Sequence, residues 1–357
     1  MKRVLVTGGA GFVGANLAVF LADRHPDWEL TAVDNLHRRG SELNIPRLQR
    51  AGVMFVRGDI RYRAALAQLP TFDALVECSA EPSALVGMRG DTTYIFEANL
   101  DGAYNCLELT RRHGAQFVFL STSRVYPYEA LSALGYEEKP TRLELAADQP
   151  VPGASAAGIS ERFPLEGPRT LYGATKLAAE LLATEYAANF EIPTVIDRCG
   201  VIAGPWQMGK VDQGVFAYWL FHHHFGKPLS YIGHGGEGKQ VRDLLHVEDL
   251  VDLVELQLLE PAAWNGFIGN VGGGRDSSLS LAETTRICRE LTGNEVPMEP
   301  VLENRPGDVP IYISDCSRLF ERTDWRPARG PRRVLEDIHA WVVENEHAVA
   351  AALGLAP

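Results

Sequence analysis

The chain has 357 residues, 46 % apolar and 22 % charged, and a formal charge of −12. That length builds one large domain or two smaller ones with sizeable cores. The acidic balance argues against nonspecific binding to nucleic acid or anionic membrane surfaces and leaves room only for a local basic pocket.

Along the chain, "MKRVLVTGG" has only a short apolar run before its glycines, so it reads as a first strand and not a signal peptide. No apolar stretch reaches bilayer-spanning length. "RVLVTG", "ELTAVDN", "VMFVRGD", "DALVECSA", "QFVFLSTS" and "PTVIDRCG" read as strands, separated by helical stretches such as "ANLAVFLADRH" and "ANLDGAYNCLELTRRHG". Near-continuous apolar strands alternating with helices predict a parallel sheet covered on both faces. Residues 128–169, rich in Pro, Gly, Ala and Glu, break the rhythm and predict a functional lid or a partly ordered insert.

After Gly204 the pattern turns mixed and glycine-rich. "SLSLAETTRICRELTG" predicts a helix opened by a Ser280–Glu283 capping box and closed at Gly293. "RRVLEDIHAWVVENE" places Val334, Leu335, Ile338, Trp341 and Val342 on one helix face. The histidines of "FHHHFG" (His222 to His224) point in different directions on a helix, so they predict a solvated or core stretch, and no metal site is expected. The five cysteines (Cys78, Cys106, Cys199, Cys288, Cys316) are scattered without C-x-x-C spacing and suit free thiols in a reducing, cytoplasmic compartment.

"VTGGAGFVGANL" follows the first strand and opens a helix, and both Gly9-x-Gly11-x-x-Gly14 and Gly8-x-x-Gly11-x-x-Gly14 fit the dinucleotide fingerprint. The glycines allow backbone N–H groups at the helix start to approach a pyrophosphate. Asp34 ends the second strand about twenty residues on, where it would accept both ribose hydroxyls of NAD and repel a 2′-phosphate. Arg38 and Arg39 follow and leave room for NADP, and Asp59-Ile60 sits where an adenine could be held. The fold class is therefore α/β: a Rossmann-type doubly wound parallel sheet with a smaller C-terminal α/β portion. Residues 1–200 are expected to form the dinucleotide domain, with 241–262 packing back onto it, and 201–357 mainly the substrate domain.

In "LYGATKLAAELL", Tyr172 and Lys176 lie four apart at the head of a helix and share a face. An ammonium beside a phenol favours the phenolate, which can take a proton from a secondary alcohol while its hydride leaves for a nicotinamide. Thr122 ends the fifth strand, in the crevice where such sheets bind ligands. The plain alternative is that Ser121, Thr122 and Ser123 only satisfy backbone groups at a strand end.

With these motifs, the chain resembles an extended short-chain dehydrogenase/reductase, over nearly its whole length. Within that group it is most similar to the NAD-dependent nucleotide-sugar epimerases and dehydratases, and among them to the CDP-paratose (CDP-tyvelose) 2-epimerases. The segments that carry the likeness are "VDNLHRRGSELN", "STSRVYP", "GISERFPLEGPRTLYGATK", "DQGVFAYW", "GKQVRDLLHVEDL" and "RPGDVPIYISDCSR". The resemblance implies Thr122, counted back from Tyr126, as the catalytic hydroxyl beside Tyr172 and Lys176. It implies a cofactor site of Gly8, Gly11, Phe12, Val13, Asp34, Asn35, Asp59, Ile60, Ser79, Ala80, Asn99, Ser121, Tyr172, Lys176 and Val201, with Asn99 holding its helix in an active-site geometry. It further implies Arg242 and Arg305 on the diphosphate of a sugar nucleotide, with Glu81, Ser123, Arg124, Gln213, Gln240 and Asp308 lining the substrate. Asp212 and Lys239 are weaker candidates for sugar or base contacts. The chain departs from the group where many members carry His-x-Ala after the fourth strand: here "ECSAEPS" puts Glu77, Cys78 and Glu81 along the pocket.

The activity implied is epimerisation of a nucleoside-diphosphate sugar, CDP-linked by preference, through transient oxidation at C2, with epimerisation at C4 of a UDP- or GDP-sugar as the alternative. A 4,6-dehydratase needs an Asp-Glu pair after its catalytic threonine, and Ser123-Arg124 supplies no carboxylic acid there. A catalytically silent NAD-binding protein is the third reading, disfavoured because Thr122, Tyr172 and Lys176 are all present. A homodimer through the Asn99 and Tyr172 helices, or a homotetramer, follows the habit of the group.

Overall fold

The computed structural model describes residues 1–83, 85–87, 90–210 and 213–354. Asp212 lies outside the described residues. The chain groups into two compact units: Met1–Thr122 with Leu171–Arg198 and Leu250–Ile268, and Ser123–Thr170 with Cys199–Asp249 and Gly269–Pro357. The segment 123–170, expected within the first domain, thus groups with the second, while 250–268 groups with the first.

In the first unit the predicted strands form as β1 (Arg3–Thr7), β2 (Glu29–Asp34), β3 (Met54–Arg57), β4 (Ala74–Glu77), β5 (Gln116–Thr122) and β6 (Thr194–Cys199). A seventh, β7 (Phe267–Val271), was hidden in a glycine-rich stretch and completes the sheet order β7-β6-β5-β4-β1-β2-β3. Neighbouring strands from β3 across to β5 pair in parallel. All of β4 and all of β5 are buried, as strands covered on both faces must be, which is why their sequences are continuous apolar runs instead of alternating ones.

The helices α1 (Phe12–Arg24), α2 (Gly102–His113) and α3 (Leu171–Phe190) accompany this sheet. Leu5, Leu75, Phe117 and Phe119 from the strands join Cys106 and Leu107 of α2 and Ala179 and Ala183 of α3 in one core. Each of the larger side chains contributes about 1.5–3 kcal/mol by its burial. Because β1 is flanked by β2 on one side and β4 on the other, the winding direction reverses there. Loops after β1 and β4 diverge at such a point and leave a ligand crevice.

In the second unit Val241–His246 is the hub of a small mixed sheet, parallel to Val201–Ala203 and Ile311–Tyr312 and antiparallel to Ser278–Ser280. The helix Leu281–Thr292 has the predicted capping box between Ser280 and Glu283 and stops at Gly293 in the left-handed region. The helix Pro331–Glu344 buries Val334, Leu335, Ile338, Trp341 and Val342 as its pattern requires. Residues 128–169, expected as a functional lid or a partly ordered insert, carry regular structure. They form the short helix Tyr128–Ser132 and two small hairpins, Tyr136–Glu138 with Leu143–Leu145 and Ala154–Ser155 with Gly158–Ile159. Ile159 also bridges to Ser314, so backbone pairing does the ordering that side-chain periodicity could not announce.

Candidate active site

The glycine loop begins where β1 ends. Gly8 has φ +61°, and a Cβ there would lie 2.8 Å from the Cys78 carbonyl oxygen. At Gly14 a Cβ would meet the Gly8 carbonyl oxygen at 2.3 Å, so α1 can sit this close to the loop only with no side chain at position 14. Gly11 precedes α1, and Phe12 and Val13 open it half-buried with no acidic residue in the first turn. These backbone N–H groups form the kind of helix start that holds a phosphate.

Asp34 ends β2. Its carboxylate accepts from the Leu36 N–H at 2.7 Å and the Ala10 N–H at 3.2 Å, tying the glycine loop to β2. Burial raises its pKa, against the backbone donors that lower it. The Asn35 amide donates to Asp59 at 3.0 Å, and Arg61 pairs with the same carboxylate at 2.8 Å. Burial alone would raise the Asp59 pKa, but the Arg61 and Asn35 bonds outweigh it and hold the group below the usual carboxylate range. Ile60 is buried in the core. A tight glycine cradle followed by a carboxylate at the end of β2 fits NAD.

Ser79, Ala80 and Glu81 continue from β4, half-buried. Asn99 lies in a π-helical turn, Glu97–Asp101, and is buried. Its carbonyl accepts from the Glu81 N–H at 2.7 Å; its amide donates to the Glu81 carbonyl at 3.1 Å and to Thr175 Oγ1 at 3.2 Å. Asn99 therefore joins the segment after β4 to the head of α3. A π turn inserts one residue into the helical register, a distortion that often marks functional sites.

On α3, Tyr172 is half-buried and Lys176 is buried. The Lys176 ammonium donates to Glu77 Oε2 at 3.3 Å and lies 3.8 Å from the centroid of the Phe119 ring. One turn further, Glu180 accepts from Ser121 Oγ at 2.5 Å and from Arg198 Nη2 at 2.7 Å. Tyr172, Lys176 and Glu180 form one i, i+4, i+8 stripe, two of whose members are locked to β4 and β5. Thr122, the next residue after Ser121, is buried at the end of β5. The Ser121 hydroxyl proton is thus committed to Glu180, which leaves the oxygen only its acceptor lone pairs.

The second unit gathers another set of the predicted residues. Arg242 donates to Asp308 Oδ1 at 2.7 Å and to the Val309 carbonyl at 2.6 Å, and His234 Nε2 stands 3.6 Å from Asp308 Oδ2. Burial pushes the Asp308 pKa up, but His234, Arg242 and Arg124 together hold it well below the usual carboxylate range. Burial lowers the Arg242 pKa. Arg124 donates to the Gly307 carbonyl at 3.1 Å, and the Arg305 carbonyl accepts from the Asp308 N–H at 3.2 Å. Arg124 and Arg242 thus converge on the 305–309 turn that carries Asp308. The Gln240 amide donates to the Ile232 carbonyl at 3.3 Å, and Gln213 pairs with Lys210 through backbone bonds. Lys239 is engaged by Glu138 at 2.6 Å and by Glu237. Val201 begins a strand of this unit.

Sequence reasoning missed Glu180, Arg198 and His234, and it placed Glu77 along a pocket without its lysine partner. The spacing of Glu180, four residues after Lys176, was a usable signal; Arg198 and His234 had none. Of the three consecutive histidines, His223 is buried with Nδ1 2.8 Å from the Trp219 carbonyl, and His224 faces Glu346 at 3.3 Å. Among the described residues no helix is long and apolar enough to cross a membrane.

The model of the "NAD dependent epimerase/dehydratase family" matches residues 4–272. The chain belongs to that family. Its enzymes use NAD on nucleotide sugars, and the cradle and Asp34 are where this chain would hold the cofactor. The chain is 30 % identical over 353 residues to the CDP-paratose 2-epimerase of Salmonella typhi, covering 95 % of this chain and 98 % of that protein. It is 27 % identical to a probable UDP-glucuronate 4-epimerase of Rhizobium meliloti (strain 1021), covering 96 % and 97 %. Among solved structures, the UDP-glucose 4-epimerase of Thermus thermophilus in complex with NAD is similar with a TM-score of 0.74 at 27 % identity, covering 95 % and 98 %.

Proposed function

We propose that this enzyme epimerises a nucleoside-diphosphate sugar, CDP-linked, at C2. The observation that carries the reading is the Tyr-x-x-x-Lys helix itself, locked through Lys176 to β4 and through Glu180 to the residue before Thr122. A helix fixed in this way keeps a phenol and a hydroxyl in one constant relation, which is what orienting a secondary alcohol demands. Bound NAD supplies the acceptor, and later the donor, of a hydride. Tyr172 takes the proton of the sugar hydroxyl as its C–H bond gives up the hydride, and Thr122 hydrogen-bonds the same oxygen. The keto-sugar turns over, the hydride returns to its opposite face, and Tyr172 hands the proton back. No net redox equivalent is consumed.

Asp34 would take the ribose hydroxyls, and Arg242 and Arg305 the diphosphate, with Arg124, Ser123, Asp308, Gln213, Gln240 and Glu81 completing the substrate site. The identity to a CDP-paratose 2-epimerase supports CDP and C2. The likeness to a probable UDP-glucuronate 4-epimerase supports C4 of a UDP-sugar as the second reading. Ser123-Arg124, with no carboxylic acid, speaks against water elimination. Free thiols suit a reducing cytoplasmic compartment, and the exposed Leu181, Phe190 and Phe96 suit a homodimer or homotetramer.

The test is a panel of CDP-, UDP-, GDP- and dTDP-sugars, first by thermal shift and then by NMR of the products. Inversion at C2 of a CDP-sugar, with no deuterium taken up from D₂O, is the expected result. Inversion at C4 would replace the first reading by the second, and deuterium at the inverted carbon would overturn hydride return altogether.

A further inference from the structure

Two opposite charges are buried together beside the proposed proton acceptor. Lys176 is 2 % exposed and Glu77 1 %, with Nζ 3.3 Å from Oε2. Neither charge could be buried alone without a large penalty, so each offsets the cost of burying the other; burial pushes the Glu77 pKa up, against the Lys176 ammonium that lowers it. Both are immobile. Glu77 is the last residue of β4, paired on one side with Thr7 of β1 and on the other with Phe119 of β5. The Phe119 ring backs the ammonium at 3.8 Å.

The Ser79 backbone N–H also faces the Glu77 carboxylate and favours its charged form. Other titratable groups facing the pair are the thiols of Cys78 and Cys106, whose pKa values burial pushes up, so they stay neutral. On α3, Tyr172 lies one turn before the lysine, while Glu180 is taken up by Arg198 and Ser121. The electrostatic surroundings of the Tyr172 phenol therefore include not a lone ammonium but a compensated pair.

We propose that Glu77 is a positioning residue: it seats the Lys176 ammonium and offsets its charge, keeping the Tyr172 phenol less acidic than an uncompensated lysine would make it. This rests on the epimerase reading for the role of Tyr172. A less acidic phenol yields a stronger base once ionised. A unit charge within one helical turn, at the effective dielectric of a protein site, moves a pKa by on the order of one unit.

The experiment follows Tyr172 ionisation in the NAD-loaded enzyme by carbon NMR of tyrosine-labelled protein, the signal being assigned by its loss in Tyr172→Phe. Glu77→Gln keeps the shape and the lysine but removes the charge. It is expected to lower the Tyr172 pKa by on the order of one unit and to move the acid limb of the kcat/KM profile with it. Glu77→Asp, which keeps the charge, is expected to leave both near the wild type. An unmoved Tyr172 titration in folded E77Q overturns the proposal. If E77Q does not fold, the carboxyl carbon of Glu77 in the wild type decides: an ionised signal at neutral pH supports charge compensation, and a neutral carboxyl overturns it. The titrations need no substrate. An enzyme that turns over no nucleotide sugar sinks the epimerase reading and leaves the Glu77 test standing.

Discussion

Replacing Arg198 by Met should cost the enzyme much of its stability, and the structure says why. Arg198 donates to Glu180 through Nε at 3.1 Å and Nη2 at 2.7 Å, and the two side chains are only 7 % and 3 % exposed. Without the guanidinium, the Glu180 carboxylate stays buried with the Ser121 hydroxyl still donating to it. Breaking a buried pair by removing one partner costs about 3–5 kcal/mol, whereas replacing both with apolar groups is often nearly neutral. Urea denaturation of the NAD-loaded wild type, R198M and the double variant Glu180→Leu/Arg198→Met measures both terms. The double variant should recover at least about 2 kcal/mol of the loss. A loss below about 1 kcal/mol in R198M is the value of an exposed pair and would refute the reasoning. Because Ser121 adjoins Thr122, turnover should fall in R198M even where the protein remains folded.

Tyr172→Phe should leave thermal stability near the wild type and lower kcat by about two to four orders of magnitude, measured as product formation under saturating sugar nucleotide. Gly14→Ala places a Cβ 2.3 Å from the Gly8 carbonyl oxygen, so the protein should purify with little or no NAD, read from the absorbance of cofactor released on denaturation. Burial raises the folded-state pKa of Asp197 to about 7, against the bond from Gln257. Its unfolded value is about 3.9, so the folded state binds the extra proton between those limits and stability declines as pH rises from about 4 to 7. Asp197→Asn should flatten that decline and stabilise the enzyme above neutral pH, seen as the urea midpoint across the pH series.

The strands β1 to β6, the glycine loop and the capped helix Leu281–Thr292 were legible in the sequence because each is set by neighbours a few residues away. Period, turn chemistry and capping are local. β7 was not legible, since its glycine-rich run becomes a strand only when a sheet edge is there to receive it. The hairpins of 128–169 failed for the same reason: strands of two or three residues carry no periodicity.

The candidate site divides along the same line. Tyr172, Lys176, Thr122 and Asp34 could be nominated from motifs, because spacing on one helix or the end of one strand places them. What those residues face could not. Glu77 lies 99 positions from Lys176, and Ser121 lies 59 from Glu180. Such partners are chosen by which strand lies beside which and by the cost of burying a charge alone. The sequence by itself determined the fold class and the kind of chemistry; the tertiary structure decided that Lys176 is buried against Glu77.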